Sequence, residues 1–138
     1  MSEYSPLEGI QVLDLTQSIA GPTATQYLGL LGADIVKVEP PSGDAFRGLL
    51  DGAMFAAVNL GEKRSVAIDL KTEDGQAAAA VLAEESDVII ESYRPNTVET
   101  FGLDYETVSS YNENVIYLSL SGYGQDGPRS DWPAYDPA

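Results

Sequence analysis

The sequence predicts an α/β fold, a Rossmann-like, doubly wound and mostly parallel sheet with helices on both faces. Three observations carry this. Short apolar and β-branched runs recur along all 138 residues and alternate with stretches that read as helix. The connections between them are long enough for crossovers, so neighbouring strands run in parallel. The last run, Val115 to Leu120, reads as a buried strand that empties into a loop holding Gly122, Gly124, Gly127 and Pro128, the place where an open α/β sheet binds its ligand.

The elements follow in order. Ile10 to Leu15 is a short apolar run suited to a buried strand. Pro22 is placed for the first turn of a helix whose body is Thr23 to Leu31, and Gly32 closes it. Asp34 to Glu39 reads as the second strand, broken by Pro40, Pro41 and Gly43. Asp44 to Glu62 is the least regular segment, with one short helix around Met54 to Asn59. Ser65 to Leu70 is the third strand. Thr72 then caps an Ala-rich helix running to Glu85, with Glu73 and Asp74 favourable in its first turn. Asp87 to Glu91 is the fourth strand, Thr97 to Phe101 and Asp104 to Tyr111 are short helices around Gly102, and Val115 to Leu120 is the fifth strand. No repeat, low-complexity segment or linker divides the chain, so one domain or part of one is expected.

Composition narrows the chemistry. Hydrophobic residues make up 43 % of the chain and aromatics 9 %, which can build one core. Cysteine and histidine are both absent. Disulfides, thiolate or imidazole metal sites, a Cys nucleophile and a His base are therefore impossible within these residues, and no metal is expected. No run of about 18 apolar residues occurs, and no signal pattern opens the chain, so a cytoplasmic location is expected. Twenty-two acidic residues against seven basic ones give a net charge of −15. That field disfavours nucleic acid and anionic membranes as partners. Because the acids are dispersed and lysine is scarce, a halophilic source is expected, where salt screens the self-repulsion.

Several motifs admit a functional reading beside a plainer one. Thr16 to Pro22 joins the first strand to its helix, whose N-terminus can receive an anion, or is simply a strand–helix turn. Lys63, Arg64 and Lys71 gather three of seven cations within nine residues. They either attract a phosphate-bearing ligand or offset local acid at the surface. Ser92-Tyr93-Arg94-Pro95 follows the fourth strand at its carboxyl end, where Tyr93 can stack on a base and Arg94 can hold a phosphate, or it is a structural loop. Asp14, Asp34, Glu39 and Asp69 flank strands and read as solvated strand ends or caps, since no metal motif or paired base accompanies them.

Taken together, these segments resemble the family III CoA-transferases, which include formyl-CoA transferase and carnitine CoA-transferase. The resemblance runs from Pro6 to the last residue. It rests on Leu7-Glu-Gly-Ile-Gln-Val-Leu-Asp-Leu15, Ala20-Gly-Pro22, Leu31-Gly-Ala-Asp-Ile-Val-Lys-Val-Glu-Pro40, Gly43-Asp44 with Arg47, Lys63-Arg-Ser-Val-Ala-Ile-Asp-Leu70, Ser86-Asp-Val-Ile-Ile-Glu91, Arg94-Pro95, Phe101-Gly-Leu-Asp-Tyr105 and Ser121-Gly-Tyr-Gly-Gln-Asp-Gly-Pro128. The resemblance implies that residues 1–138 are the N-terminal, CoA-binding half of the family's large α/β domain. It also implies an interlocked homodimer, with an acyl-CoA and a carboxylic acid as partners and coenzyme A as the carried group.

In this family a nucleophilic aspartate attacks the acyl-CoA thioester, and an anhydride and an aspartyl thioester follow in turn. The resemblance puts that aspartate downstream of the chain, so no catalytic nucleophile is expected within it and these residues alone are expected to be inactive. Ile19 and Ala20 are then expected to line the site, and Ile68, Asp69, Leu70 and Lys71 to hold the adenine and ribose end. Ser92, Tyr93 and Arg94 are expected to border the pantetheine channel. Pro133, Ala134, Tyr135 and Asp136 are expected to approach the thioester, with Tyr135 in the active-site loop. Ile19, Pro40 and Thr100 depart from the formyl-CoA branch, which points away from formate and oxalate as substrates. Related α-methylacyl-CoA racemases place a histidine where Tyr135 stands, which favours transfer over racemisation. An isomerase of the racemase type and a non-catalytic CoA-binding remnant or split half stay as the two other readings.

Overall fold

The computed structural model describes residues 5–59 and 63–134. Five strands form one sheet: β1 (Gln11–Leu15), β2 (Asp34–Glu39), β3 (Lys63–Ala67), β4 (Val88–Glu91) and β5 (Ile116–Ser119). Every pairing is parallel and the order across the sheet is β3-β2-β1-β4-β5. The chain thus builds outward from β1 on one side, then returns to add β4 and β5 on the other. The strand order reverses between β1 and β4, the position at which open α/β sheets receive their ligands.

Alternation along the strands distributes the apolar residues to two faces. In register, Val12 lies between Ile35 and Val88, and Leu13 lies between Val36 and Ile89. Val12, Ile35 and Ile90 face the first layer, where α1 (Ala20–Leu30) lies and Leu28 and Ala33 complete the cluster. Leu13, Leu15, Val38 and Ile89 face the other layer, with Ala79 and Ala83 of α3 (Glu73–Glu84) and Val108 of α4 (Tyr105–Ser109). The short α2 (Ala53–Asn59) sits beside α1. Helices therefore cover both faces, as a sheet buried on both sides requires. No helix among the described residues is long and apolar enough to cross a membrane.

Caps set the helix bounds. The Thr72 hydroxyl accepts the Gly75 N–H at 3.1 Å and starts α3. The Asp104 carboxylate accepts the Thr107 N–H at 3.0 Å and starts α4. The first helix starts at Ala20, so Pro22 is its third residue and lies within the first turn.

Two strands differ from expectation. The third is Lys63–Ala67 instead of Ser65–Leu70, because its ladder to β2 runs from Ile35↔Lys63 to Glu39↔Ala67. Past it, Ile68 still donates to the Glu39 carbonyl at 2.8 Å, and the chain then turns at Asp69. Ile68 and Leu70 are buried in the core, so the apolar alternation outlasts the strand that it appears to mark. The fifth strand is not fully buried. It forms the edge of the sheet, with Ile116 66 % and Leu118 46 % exposed on the face where α1 covers β1 and β4. Its other face is anchored by Tyr117, whose hydroxyl donates to the Leu103 carbonyl at 2.6 Å.

Candidate functional site at the carboxyl ends of the strands

The reversal of strand order brings the turn after β1 against the loop after β4. The Gln17 N–H donates to the Ser92 hydroxyl at 3.0 Å and links them. In the turn, Ser18 takes a left-handed backbone with φ of 67°, and Ile19 follows with its side chain 49 % exposed at the start of α1. No side chain caps that helix and no acid lies in its first turn. In the facing loop the Tyr93 N–H donates to Glu91 Oε2 at 2.7 Å, while the Tyr93 ring meets Phe101 edge-on at 5.5 Å. Burial raises the Tyr93 phenol above its ordinary range, against a hydrogen bond from Gln17. Burial also raises the Glu91 carboxyl, although hydrogen bonds from Ser119 and from the Tyr93 N–H oppose it.

Beneath the turn lies a set of charges, buried except for the half-exposed Arg47, built on the face of the sheet that α1 covers. Asp14 Oδ1 accepts the Thr16 N–H at 2.9 Å and the Thr16 hydroxyl at 2.5 Å. Asp14 Oδ2 accepts the Thr25 hydroxyl at 2.5 Å and Lys63 Nζ at 3.1 Å. Lys63 also donates to the Pro22 carbonyl at 2.6 Å and to Asn59 Oδ1 at 2.9 Å. Lys37 donates to the Thr16 carbonyl at 2.6 Å and faces Asp44 Oδ2 at 3.3 Å. Glu39 takes a two-pronged bond from Arg47, with both distances 2.6 Å, and accepts Ser65 and the Asp44 N–H. Three carboxylates and three cations thus neutralise one another, as buried charge requires.

The carboxyl shifts follow. Burial pushes Asp14 up, but the charges of Lys37 and Lys63 and the two threonine hydroxyls outweigh it and hold the carboxyl below its ordinary range. Burial likewise raises Glu39, and the bonds from Arg47, Ser65 and Asp44 overcome it, leaving a value of about 2. For Lys63, burial is the larger influence and lowers the ammonium despite Asp14.

These contacts correct several expectations. Asp14 and Glu39 are not solvated strand ends, being buried at 0 and 3 % exposure. Asp34, by contrast, is exposed and pairs with Arg64 at 2.5 Å, and Asp69 accepts the Lys71 N–H in an exposed turn. Lys63 and Arg64 are committed to the chain's own carboxylates, which leaves Lys71 at the carboxyl end of β3 outside those pairs. A sequence signal for the buried network did exist. Lys37 stands within an apolar strand, and a lysine there must be paired.

The expected site residues divide into three groups. Ile19 and Ala20 follow Gln17, whose N–H bonds Ser92 at the head of the loop carrying Tyr93 and the exposed Arg94. Ile68, Asp69, Leu70 and Lys71 lie two strands away, after the edge strand β3. There the Ile68 and Leu70 side chains belong to the core, so Asp69, Lys71 and the backbone are what the segment presents. The Leu70 carbonyl accepts Gln76 Nε2, which also reaches the Thr100 carbonyl and ties this segment to the loop after β4. Pro133 and Ala134 fold back onto the loop after β5, where a Cβ on Gly122 would come within 1.9 Å of the Ala134 Cβ. Only glycine permits that approach. Tyr135 and Asp136 lie outside the described residues. A depression lined by Gln11, Asp34 and Arg64 lies at the amino ends of the strands, away from all of these. Among the described residues no group of three or more acidic side chains is placed to hold a metal ion.

The sequence model of CoA-transferase family III matches residues 7–138. The chain belongs to that family. Its relatives include the formyl-CoA:oxalate CoA-transferase of Streptomyces avermitilis, 41 % identical over 94 % of this chain and 33 % of the relative. The succinate–glutarate CoA-transferase of Agrobacterium fabrum is 40 % identical over 95 % of this chain and 36 % of its own length. The chain therefore spans about a third of the length of these family members. A crystal structure from Mycobacterium tuberculosis superposes with a TM-score of 0.91 at 42 % identity, covering 96 % of this chain and 38 % of that one. The all-parallel α/β sheet is shared with that structure.

Proposed function

We propose that this chain is the N-terminal, CoA-binding part of an enzyme that moves CoA between an acyl-CoA thioester and a carboxylic acid. The observation that carries the reading is the family match over nearly the whole chain. The sheet supports a place for the ligand. Ile19 and Ala20 follow β1, and Ser92, Tyr93 and Arg94 follow β4, the two strands between which the order reverses, and parallel α/β sheets receive ligands there. Asp69 and Lys71 extend that line toward β3, where an ammonium suits an anionic nucleotide end. Pro133 to Asp136 would reach the thioester from the far side.

The chemistry divides into steps at an aspartate outside this chain. Its carboxylate attacks the thioester carbonyl, the C–S bond breaks, and CoA leaves as the thiolate. The thiolate attacks the aspartyl carbonyl of the anhydride, freeing the donor acid and leaving an aspartyl-CoA thioester, from which CoA passes to the acceptor carboxylate. No step needs a histidine, in keeping with a chain that has none. The enzyme acts as an interlocked homodimer in a salt-rich cytoplasm, with no metal. Its acids are other than formate and oxalate, as Ile19, Pro40 and Thr100 imply.

The test mixes the complete enzyme with acyl-CoA and candidate acids and follows acyl exchange by mass spectrometry. Transfer of CoA to an acid without deuterium uptake at the α-carbon supports the reading. Deuterium uptake without transfer would establish an isomerase, and CoA binding without either would establish a binding module. The 138-residue chain alone is predicted to show no exchange.

A further inference from the structure

Lys37 is the largest side chain that the fold buries completely, at 1 % exposure. It stands in β2 with apolar neighbours in sequence, and removing it alone would leave the buried Asp44 carboxylate without its cation. Its ammonium makes one directed hydrogen bond among the described residues, to the Thr16 carbonyl at 2.6 Å. The Asp44 carboxylate supplies charge at 3.3 Å without a hydrogen bond. Thr16 is held at the same time by Asp14 through both its N–H and its hydroxyl, and Gly21 lets the Thr16 side chain close on α1. Three groups of one residue are therefore fixed from below. The next residue, Gln17, reaches across to Ser92.

We infer that Lys37 is a positioning residue, which holds the turn from β1 to α1 where Ile19 and Ala20 meet the ligand without touching the ligand itself. The inference rests on the reading of that turn as a CoA-binding element. It assigns Lys37 a role distinct from its neighbour Lys63, which ties Asp14 to Pro22 and Asn59.

The experiment compares Lys37→Met with Asp44→Asn in the complete enzyme, measuring the dissociation constant of free CoA and the kcat and KM for acyl-CoA. The first variant removes the bond to Thr16. The second keeps that bond and removes only the charge partner. Misplacing a binding loop by a fraction of an ångström is expected to raise Kd and KM about tenfold in Lys37→Met, with kcat changed far less. Asp44→Asn is expected to leave both within about twofold although it too lowers the melting temperature. Equal CoA affinity in Lys37→Met and wild type overturns the inference, as does an equal rise in both variants. Should Lys37→Met fail to fold, Gly21→Ala decides. Its Cβ would come within 2.3 Å of the Thr16 Cβ and must displace the turn while every charge stays, so an unchanged Kd there overturns the inference and a rise supports it. A wild-type enzyme that binds no CoA overturns the reading of the site itself, a different outcome from a binding wild type with an unaffected Lys37→Met.

Discussion

Glu39 receives both prongs of Arg47, the Ser65 hydroxyl and the Asp44 N–H, and its value falls from the ordinary 4.5 to about 2. A depressed carboxyl favours the fold above its unfolded value, and that contribution fades as pH falls through the folded value. Stability is therefore predicted to decline between about pH 4.5 and 2, with Asp14 acting in the same direction. Glu39→Gln is predicted to cost about 2 kcal/mol at pH 7 by urea unfolding. The gap from wild type should close in acid; a gap independent of pH would contradict the assignment. Glu91 carries the opposite sign. Its value is raised by burial, so the folded form holds its proton more tightly and stability falls as pH rises from the ordinary 4.5 through the folded value. Glu91→Gln is predicted to be at least as stable as wild type at pH 7, with the advantage vanishing toward pH 4.5. At this scale the sequence was least legible. Asp14 and Glu39 read as surface acids because nothing local reveals the partners that bury them, and the one local hint, Lys37 within Ile-Val-Lys-Val, was not read as a buried charge.

The helices were legible where a side chain writes their start. Thr72 and Asp104 accept the bonds that begin α3 and α4, and both were readable from residue type and spacing. Thr72→Ala is predicted to destabilise the fold by about 1 kcal/mol, read as a lower urea midpoint at unchanged slope. No shift would mean that packing of Ala79 and Ala83 alone sets the start of α3. Strand ends were less legible. Ile68 and Leu70 continue the apolar alternation of β3 after its hydrogen bonds to β2 have ended, since burial and ladder pairing are separate requirements. The exposed face of β5 was hidden for another reason. Sheet order decides which strand is an edge, and order arises from crossovers that no five-residue run encodes.

For the whole molecule, four of the seven cations pair with four acids among the described residues, and since each pair is neutral the full net charge of −15 stays on the remaining side chains. Its self-repulsion weakens as the Debye length shrinks from about 10 Å at 0.1 M salt to about 3 Å at 1 M. The melting temperature is predicted to rise steeply with KCl over that range, and a flat profile would contradict the dominance of charge repulsion. The candidate site was readable only as two segments, Thr16 to Pro22 and Ser92 to Pro95, each at the carboxyl end of a strand. Their adjacency was not, because it depends on β4 inserting beside β1 and not beside β3. The central claim is that CoA binds where those loops meet. Hydrogen–deuterium exchange of the complete enzyme, with and without CoA, tests it most directly. Protection of the amides in residues 16–20 and 92–94 is the predicted result. Protection confined to other segments, with these two unchanged at saturating CoA, would contradict it.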